Sequence, residues 1–253
     1  MKLGFIGTGK IASSIIYGIF KSKLKINKIY ISNRNINIAK KLNRKFSKVK
    51  VCKNNQDIIN NSNIIFLSVT PNVGKKILSK LNFKNKKIIS LISTIKNNEL
   101  KKLTKCNKIC KAIPLPFVEN RLGPIIVSPK NNEARKIFSK LGYVLEINSE
   151  NMSYNFWSTS SLMAAYYEIY NSTANWLIRK GLKRNIANSY ISELFLALSK
   201  DAAIKKNIGF KKLVTESQTP GGLNMRVLKE LKKKGFYSNL EKSLSNILKK
   251  IKS

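Results

Sequence analysis

Six residues close to the N-terminus, Gly7-Thr8-Gly9-Lys10-Ile11-Ala12, constrain this chain more than any other stretch. They follow an apolar run, Lys2-Leu3-Gly4-Phe5-Ile6, that reads as a strand, and they open a helical stretch reaching to about Ser22. In the spacing G-x-G-x-x-A the first glycine makes a tight turn, and the second lets the backbone come close to a ligand. The small last residue lets helix and strand pack closely. The helix N-terminus presents unpaired N–H groups that suit phosphate. Two glycines after a strand are common, but this pair stands in strand–turn–helix context. The segment therefore predicts a dinucleotide site, with Gly7, Thr8, Gly9, Lys10, Ile11 and Ala12 as cofactor-binding residues.

The chain behind the turn supports that reading. Short β-branched runs at residues 2–6, 28–32, 49–51, 64–68, 88–93, 108–113, 125–128 and 143–147 read as strands. The first five recur at the spacing of βαβ crossovers in a parallel sheet. Ile64-Ile65-Phe66-Leu67 and Ile88-Ile89-Ser90-Leu91-Ile92 are nearly continuous apolar runs, as expected of strands covered on both faces. After about residue 150 the texture turns helical. Residues 152–178 read as one long helix and 185–206 as a second, with shorter helices punctuated by Gly209, Pro220-Gly221-Gly222 and Gly235. The expected fold class is α/β: an N-terminal Rossmann-type domain over 1–148, followed by an all-helical domain over 149–253.

Three other strand ends belong to the expected cofactor site, because ligands of open α/β sheets bind at the carboxyl ends of strands. The second strand ends in Ser32-Asn33-Arg34. No Asp or Glu stands there to accept from a ribose 2′-hydroxyl, whereas Arg34, with Ser32 and Asn33 beside it, suits a 2′-phosphate. NADP is therefore expected, with NAD as a possible substitute. The fourth strand runs into Val69-Thr70-Pro71 and the fifth ends at Ser93-Thr94, small polar residues able to bond ribose or a nicotinamide amide. Pro71 also fits a plain turn, and Ser93 and Thr94 a helix cap.

Composition removes whole classes of chemistry. The 253 residues include no histidine, so histidine bases, Ser-His and Cys-His nucleophiles and most zinc sites are excluded. Three cysteines and 12 acidic residues form no metal-binding pattern, and no metal is expected. With 49 basic residues the formal charge is +37, which first suggests a nucleic acid or an anionic membrane. The cations are 42 lysines against 7 arginines, scattered from Lys2 to Lys252, among 30 asparagines and 33 isoleucines. Those three residues share AT-rich codons, so codon bias explains the charge better than a dedicated nucleic-acid or membrane partner. No apolar run is long enough to span a bilayer. With few cysteines and no signal-peptide pattern, a cytoplasmic location is expected.

Taken together, Phe5 to Ala12, Ser32-Asn33-Arg34, the stretch from Phe66 to Asn72, Ile113-Pro114-Leu115-Pro116 and Thr219-Pro220-Gly221-Gly222 follow the order seen in pyrroline-5-carboxylate reductases. Leu228 and Gly235-Phe236 continue it, so the resemblance covers essentially the whole chain. The resemblance implies a helical domain that dimerises by interleaving helices, hence a homodimer or higher homo-oligomer. It also implies NADPH-dependent reduction of the cyclic imine 1-pyrroline-5-carboxylate to L-proline. The substrate would lie near the Pro-Gly-Gly turn, with Gly221 and Gly222 binding its carboxylate and Thr219 and Asn224 as catalytic residues.

The sequence departs from the family where substrate would sit. Leu223-Asn224 replaces two threonines after Pro-Gly-Gly, and Leu115 replaces an asparagine between the two prolines. The segment from Ser158 to Tyr166 lacks the glycines and proline of the family's helical-domain opening. Asn224 is the best substitute for the lost hydroxyl, because its side chain both donates and accepts. Two alternatives stay open at this point: an NADP-dependent dehydrogenase of the β-hydroxyacid type, and an NADP-binding module without turnover. The first normally uses a helical-domain lysine, and Lys180 and Lys183 stand in no recognisable motif.

Overall fold

The computed structural model describes residues 1–92 and 94–252. Eight strands form one sheet: β1 (Lys2–Ile6), β2 (Lys28–Ile31), β3 (Val49–Val51), β4 (Ile64–Leu67), β5 (Lys87–Ser90), β6 (Ile109–Ile113), β7 (Pro124–Ser128) and β8 (Tyr143–Glu146). Their order is β3-β2-β1-β4-β5-β6-β7-β8. The first six are mutually parallel, β7 runs antiparallel to β6, and β8 is parallel to β7. The sequence of neighbours 3-2-1-4-5-6 reverses direction between β1 and β4, and a doubly wound sheet opens its ligand crevice at that point.

The crossovers are α1 (Lys10–Lys21), α2 (Ile36–Lys45), α3 (Asn55–Asn61), α4 (Pro71–Ile77) and α5 (Asn97–Thr104), with α6 (Asn132–Phe138) joining the last two strands. Alternate strand residues feed two apolar cores, one on each face. Leu3, Phe5, Ile29, Ile31 and Phe66 meet Ile15, Ile16 and Ile19 of α1 on one side. Ile6, Ile65, Leu67 and Ile88 meet Ile58 and Ile59 of α3 on the other. Phe5 and Phe66 stack with centroids 4.4 Å apart, and Phe138 meets Phe66 edge-on. Such coverage requires close backbone approach. Gly18 supplies it on α1, where a Cβ would strike the Val118 carbonyl of the 3₁₀ turn Pro116–Asn120.

Strand ends depart from the sequence expectation by a residue or so, most at β5. There the strand ends at Ser90, and the Ser90 hydroxyl accepts the Ile92 N–H at 3.2 Å, a side-chain bond in place of a ladder bond. Ser93 itself lies outside the described residues. The long helix expected over 152–178 is two helices, α7 (Glu150–Ser160) and α8 (Met163–Arg179). The run Ser158-Thr159-Ser160-Ser161 explains the break. Ser161 returns both its N–H and its hydroxyl to the Ser158 carbonyl, at 3.1 and 2.6 Å, and Leu162 bonds Thr159, so the chain closes a tight turn.

Two compact units result, one of Met1–Trp157 joined by the C-terminal tip from Lys250, the other of Ser158–Lys249. The second also holds α9 (Arg184–Ile204), α10 (Phe210–Glu216), α11 (Leu223–Lys233) and most of α12 (Phe236–Lys252). In it α8 and α9 pack together, with Tyr170 stacked on Phe195 at 4.5 Å. Its core is thin. Ala174, Ala187 and Ile191 are its buried apolar side chains among the described residues, while Trp176, Tyr190 and Leu198 are more than half exposed.

Candidate functional site

β1 delivers the chain to Gly7, whose φ of +100° is closed to most side chains. A Cβ there would meet the Ser68 carbonyl oxygen at 2.5 Å. The turn is held from both sides: Gly7 N–H donates to Ser32 Oγ at 3.1 Å, and Ser68 Oγ donates to the Gly7 carbonyl at 2.7 Å. Gly9 is different. A Cβ on it would meet nothing within 4 Å, so its surroundings are open to a ligand. Gly9 also begins α1 without a side-chain cap, which leaves the first N–H groups of a 12-residue helix aimed at that space. Lys10 is exposed there, Ile11 half-buried, and Ala12 wholly buried against the sheet.

Thr8 and Ser32 are both buried, and they bond each other across the gap between the β1 turn and the end of β2. Asn33 is exposed but donates from Nδ2 to the Lys53 carbonyl at 3.0 Å, beyond β3. Arg34 is exposed and makes no ion pair or side-chain hydrogen bond among the described residues. No carboxylate stands at this strand end. An anion is the matching occupant for such a guanidinium.

These residues line two adjoining clefts. One, of about 510 Å³, is bounded by Gly7, Ser32, Asn33, Arg34, Val69 and, unforeseen in the sequence, Asn54, Asn55, Val73, Lys76 and Ile77. The other, of about 520 Å³, takes in Gly7, Thr8, Gly9, Arg34, Ser68, Val69 and Thr70, with Asn35, Ile36 and Asn37. Asn54 and Asn55 stand three and four residues past the end of β3, so the strand-end rule applied to β3 would have found them. Thr70 precedes α4 with no cap bond from its hydroxyl, and Pro71 is that helix's first residue. Thr94 is exposed, and Lys96 rather than Ser93 or Thr94 stands at the start of α5. Turn, uncapped helix, open glycine and unpaired arginine together fit a dinucleotide carrying an extra phosphate.

The remaining expected site residues lie in the helical unit, on the turn between α10 and α11. Gly221 has φ +72°, and Gly222 N–H donates to the Thr219 carbonyl at 2.9 Å. A Cβ on Gly222 would strike the Thr219 hydroxyl oxygen. Asn224 Nδ2 donates to the Ser217 carbonyl at 2.9 Å, which leaves its oxygen as the outward acceptor. Arg226 Nε holds the Gly221 carbonyl at 3.0 Å. Thr219, Gly221, Gly222 and Asn224 are thus brought together, and the turn's own bonds use part of their capacity.

One polar cluster escaped sequence reasoning. Lys111 sits in the middle of β6, 1% exposed, with Nζ 3.0 Å from Glu150 Oε1 at the start of α7. The Glu150 carboxylate also accepts the Asn97 N–H at 2.9 and 3.1 Å. Burial lowers the Lys111 pKa, and the Glu150 bond opposes that shift. The signal was a lysine inside the apolar run Ile109-Cys110-Lys111-Ala112-Ile113. Among the described residues no group of histidine, cysteine or carboxylates could hold a metal, and no helix is long and apolar enough to cross a membrane.

In comparison with known proteins, two family models match separate parts of the chain. Residues 2–94 match the family model for NADP oxidoreductase, coenzyme F420-dependent. Residues 150–253 match that for pyrroline-5-carboxylate reductase dimerisation. The pyrroline-5-carboxylate reductase of Pisum sativum is 25% identical over 249 residues, spanning 94% of this chain and 90% of that protein. The fold is that of 1-pyrroline-5-carboxylate reductase from Streptococcus pyogenes, with a TM-score of 0.88, 22% identity and coverage of 100% and 98% of the two chains. It is also that of the Plasmodium falciparum pyrroline carboxylate reductase solved with NADP bound, with a TM-score of 0.86, 20% identity and coverage of 100% and 97%.

Proposed function

We propose that the chain is a member of the pyrroline-5-carboxylate reductase family and reduces 1-pyrroline-5-carboxylate to L-proline with NADPH. The observation that carries the cofactor choice is the unpaired Arg34 at a strand end without a carboxylate, beside a glycine turn open at Gly9. The similarities at both halves favour imine reduction over the hydroxyacid alternative.

Bound NADPH would supply the hydride. The protein's part is to hold and orient, because a protonated imine is already electrophilic and needs no strong base. Gly7 through Ala12 shape the turn, Arg34 and Asn33 form the 2′-phosphate side with the Ser32 hydroxyl turned inward behind them, and Val69, Thr70, Pro71 and Ser93 complete the cofactor contacts. On the helical turn, the Thr219 hydroxyl and the Gly221 N–H are donors suited to the substrate carboxylate, with Gly222 giving room for close approach. Asn224, its amide nitrogen held by Ser217, offers an oxygen to the N–H of the protonated imine. A histidine-free chain can perform each of these tasks.

In this reading the cofactor domain spans 1–148 and the helical domain 149–253. The exposed apolar side chains of the helical part are covered by a second copy, giving a homodimer. Three free, buried cysteines suit a reducing compartment such as the cytoplasm. No nucleic-acid or membrane partner enters the reading. A panel of cyclic imines and β-keto acids tests it. NADPH oxidation with pyrroline-5-carboxylate and not with keto acids is expected; oxidation with keto acids alone, or with nothing, would refute it.

A further inference from the structure

Thr8 and Ser32 form a closed circuit of hydrogen bonds. Thr8 Oγ1 donates to the Ser32 carbonyl at 2.7 Å, which uses its single hydrogen. The 2.9 Å contact between the two hydroxyl oxygens must therefore be donated by Ser32. Ser32 Oγ in turn accepts the Gly7 N–H at 3.1 Å. Both side chains are nearly inaccessible, Thr8 at 2% and Ser32 at 5% exposure. Their hydrogens are spent within the protein, and neither hydroxyl is placed to donate to a ligand. Asn33 extends the brace by its bond to the Lys53 carbonyl, so the loops after β1, β2 and β3 are tied together.

We propose that Thr8 and Ser32 are positioning residues for cofactor selection: their hydroxyl circuit sets the distance from the Gly7–Gly9 turn to Arg34. This rests on the cofactor reading above and adds to it a role without contact. A cofactor with a phosphate at the turn and another on its ribose is a ligand with two charged anchors at a fixed separation. Both anchors are satisfied only if the turn and Arg34 keep that separation. A cofactor without the ribose phosphate has one charged anchor and tolerates a shift of the β2 end. Loss of the circuit therefore weakens NADPH binding more than NADH binding. Arg34 stands two residues beyond Ser32, so a displacement at Ser32 reaches it directly.

The test is titration of the full-length chain with NADPH and with NADH. The variants are Thr8→Val, Ser32→Ala, Thr8→Ser and Arg34→Ala, with Thr8→Val and Ser32→Ala also made in the Arg34→Ala background. Thr8→Val and Ser32→Ala should each cut the NADPH-to-NADH affinity ratio roughly fivefold or more, the scale of one lost buried hydrogen bond. Thr8→Ser, which keeps the hydroxyl, should hold the ratio within about twofold. With Arg34→Ala the preference is already gone, and the circuit variants should alter the ratio no further. An unchanged ratio, an equal loss for both cofactors, or an undiminished effect in the Arg34→Ala background would overturn the inference. If Thr8→Val does not fold, Ser32→Ala, which removes a single oxygen, decides. An unaltered chain with no preference for NADPH would instead remove the cofactor reading and this inference with it.

Discussion

Gly222 and Asn224 occupy the helical turn in different ways, and substitution separates them. A side chain at Gly222 would displace the Thr219 hydroxyl, so Gly222→Val should abolish turnover. Its NADPH affinity should stay within a few-fold, since the cofactor residues belong to the other unit. Asn224→Ala should lower kcat by the equivalent of about 1–3 kcal/mol, the scale of a hydrogen bond to the charged imine, with cofactor affinity again preserved. Steady-state kinetics with parallel NADPH titration checks both. Unchanged rates in both variants would make the turn purely structural. At this scale residue identity was legible in the sequence, and hydrogen-bond direction was not. Gly7, Gly9 and Arg34 announce themselves by type and spacing. That Ser32 turns inward toward Thr8, and that Asn224 spends its nitrogen on Ser217, depends on partners 24 and 7 residues away.

Among elements, β6 and the start of α7 carry the clearest energetic test. The Lys111 ammonium is buried, and the Glu150 carboxylate both pairs with it and holds the first N–H of α5. Removing one member of such a pair leaves a buried charge uncompensated. Glu150→Ala should therefore cost about 3 kcal/mol of stability, while Lys111→Met, which removes the charge and keeps the bulk, should cost clearly less. Urea unfolding of the two variants decides it, and equal small losses would show that the pair contributes little. The strands themselves were readable from β-branched runs, because both faces of a doubly wound sheet demand apolar residues. Residues 152–178 misled because the stretch is rich in Ala, Ser, Tyr and Trp throughout, and no glycine or proline marks a stop at Ser158-Thr159-Ser160-Ser161. Composition does not register that serine hydroxyls and N–H groups compete for the carbonyls a helix needs.

For the whole molecule, the thin helical core is the decisive fact. Trp176, Tyr190, Leu198 and Ile204 are exposed at 54, 59, 57 and 80%, more apolar surface than a helical unit of this size leaves in water without a partner. Light scattering at micromolar concentration should find a dimer or a larger homo-oligomer, and a monomer would contradict that. The +37 charge should produce only weak polyanion binding that fades as salt rises. The central claim is hydride transfer to an imine carbon, and isotope transfer measures it most directly. The full-length protein is given pyrroline-5-carboxylate and NADPH deuterated at the transferable nicotinamide position, and the product is read by mass spectrometry and NMR. L-proline carrying one deuterium on its δ carbon is the predicted product. NADPH that binds and stays unoxidised, or proline that forms without the label, would contradict the account.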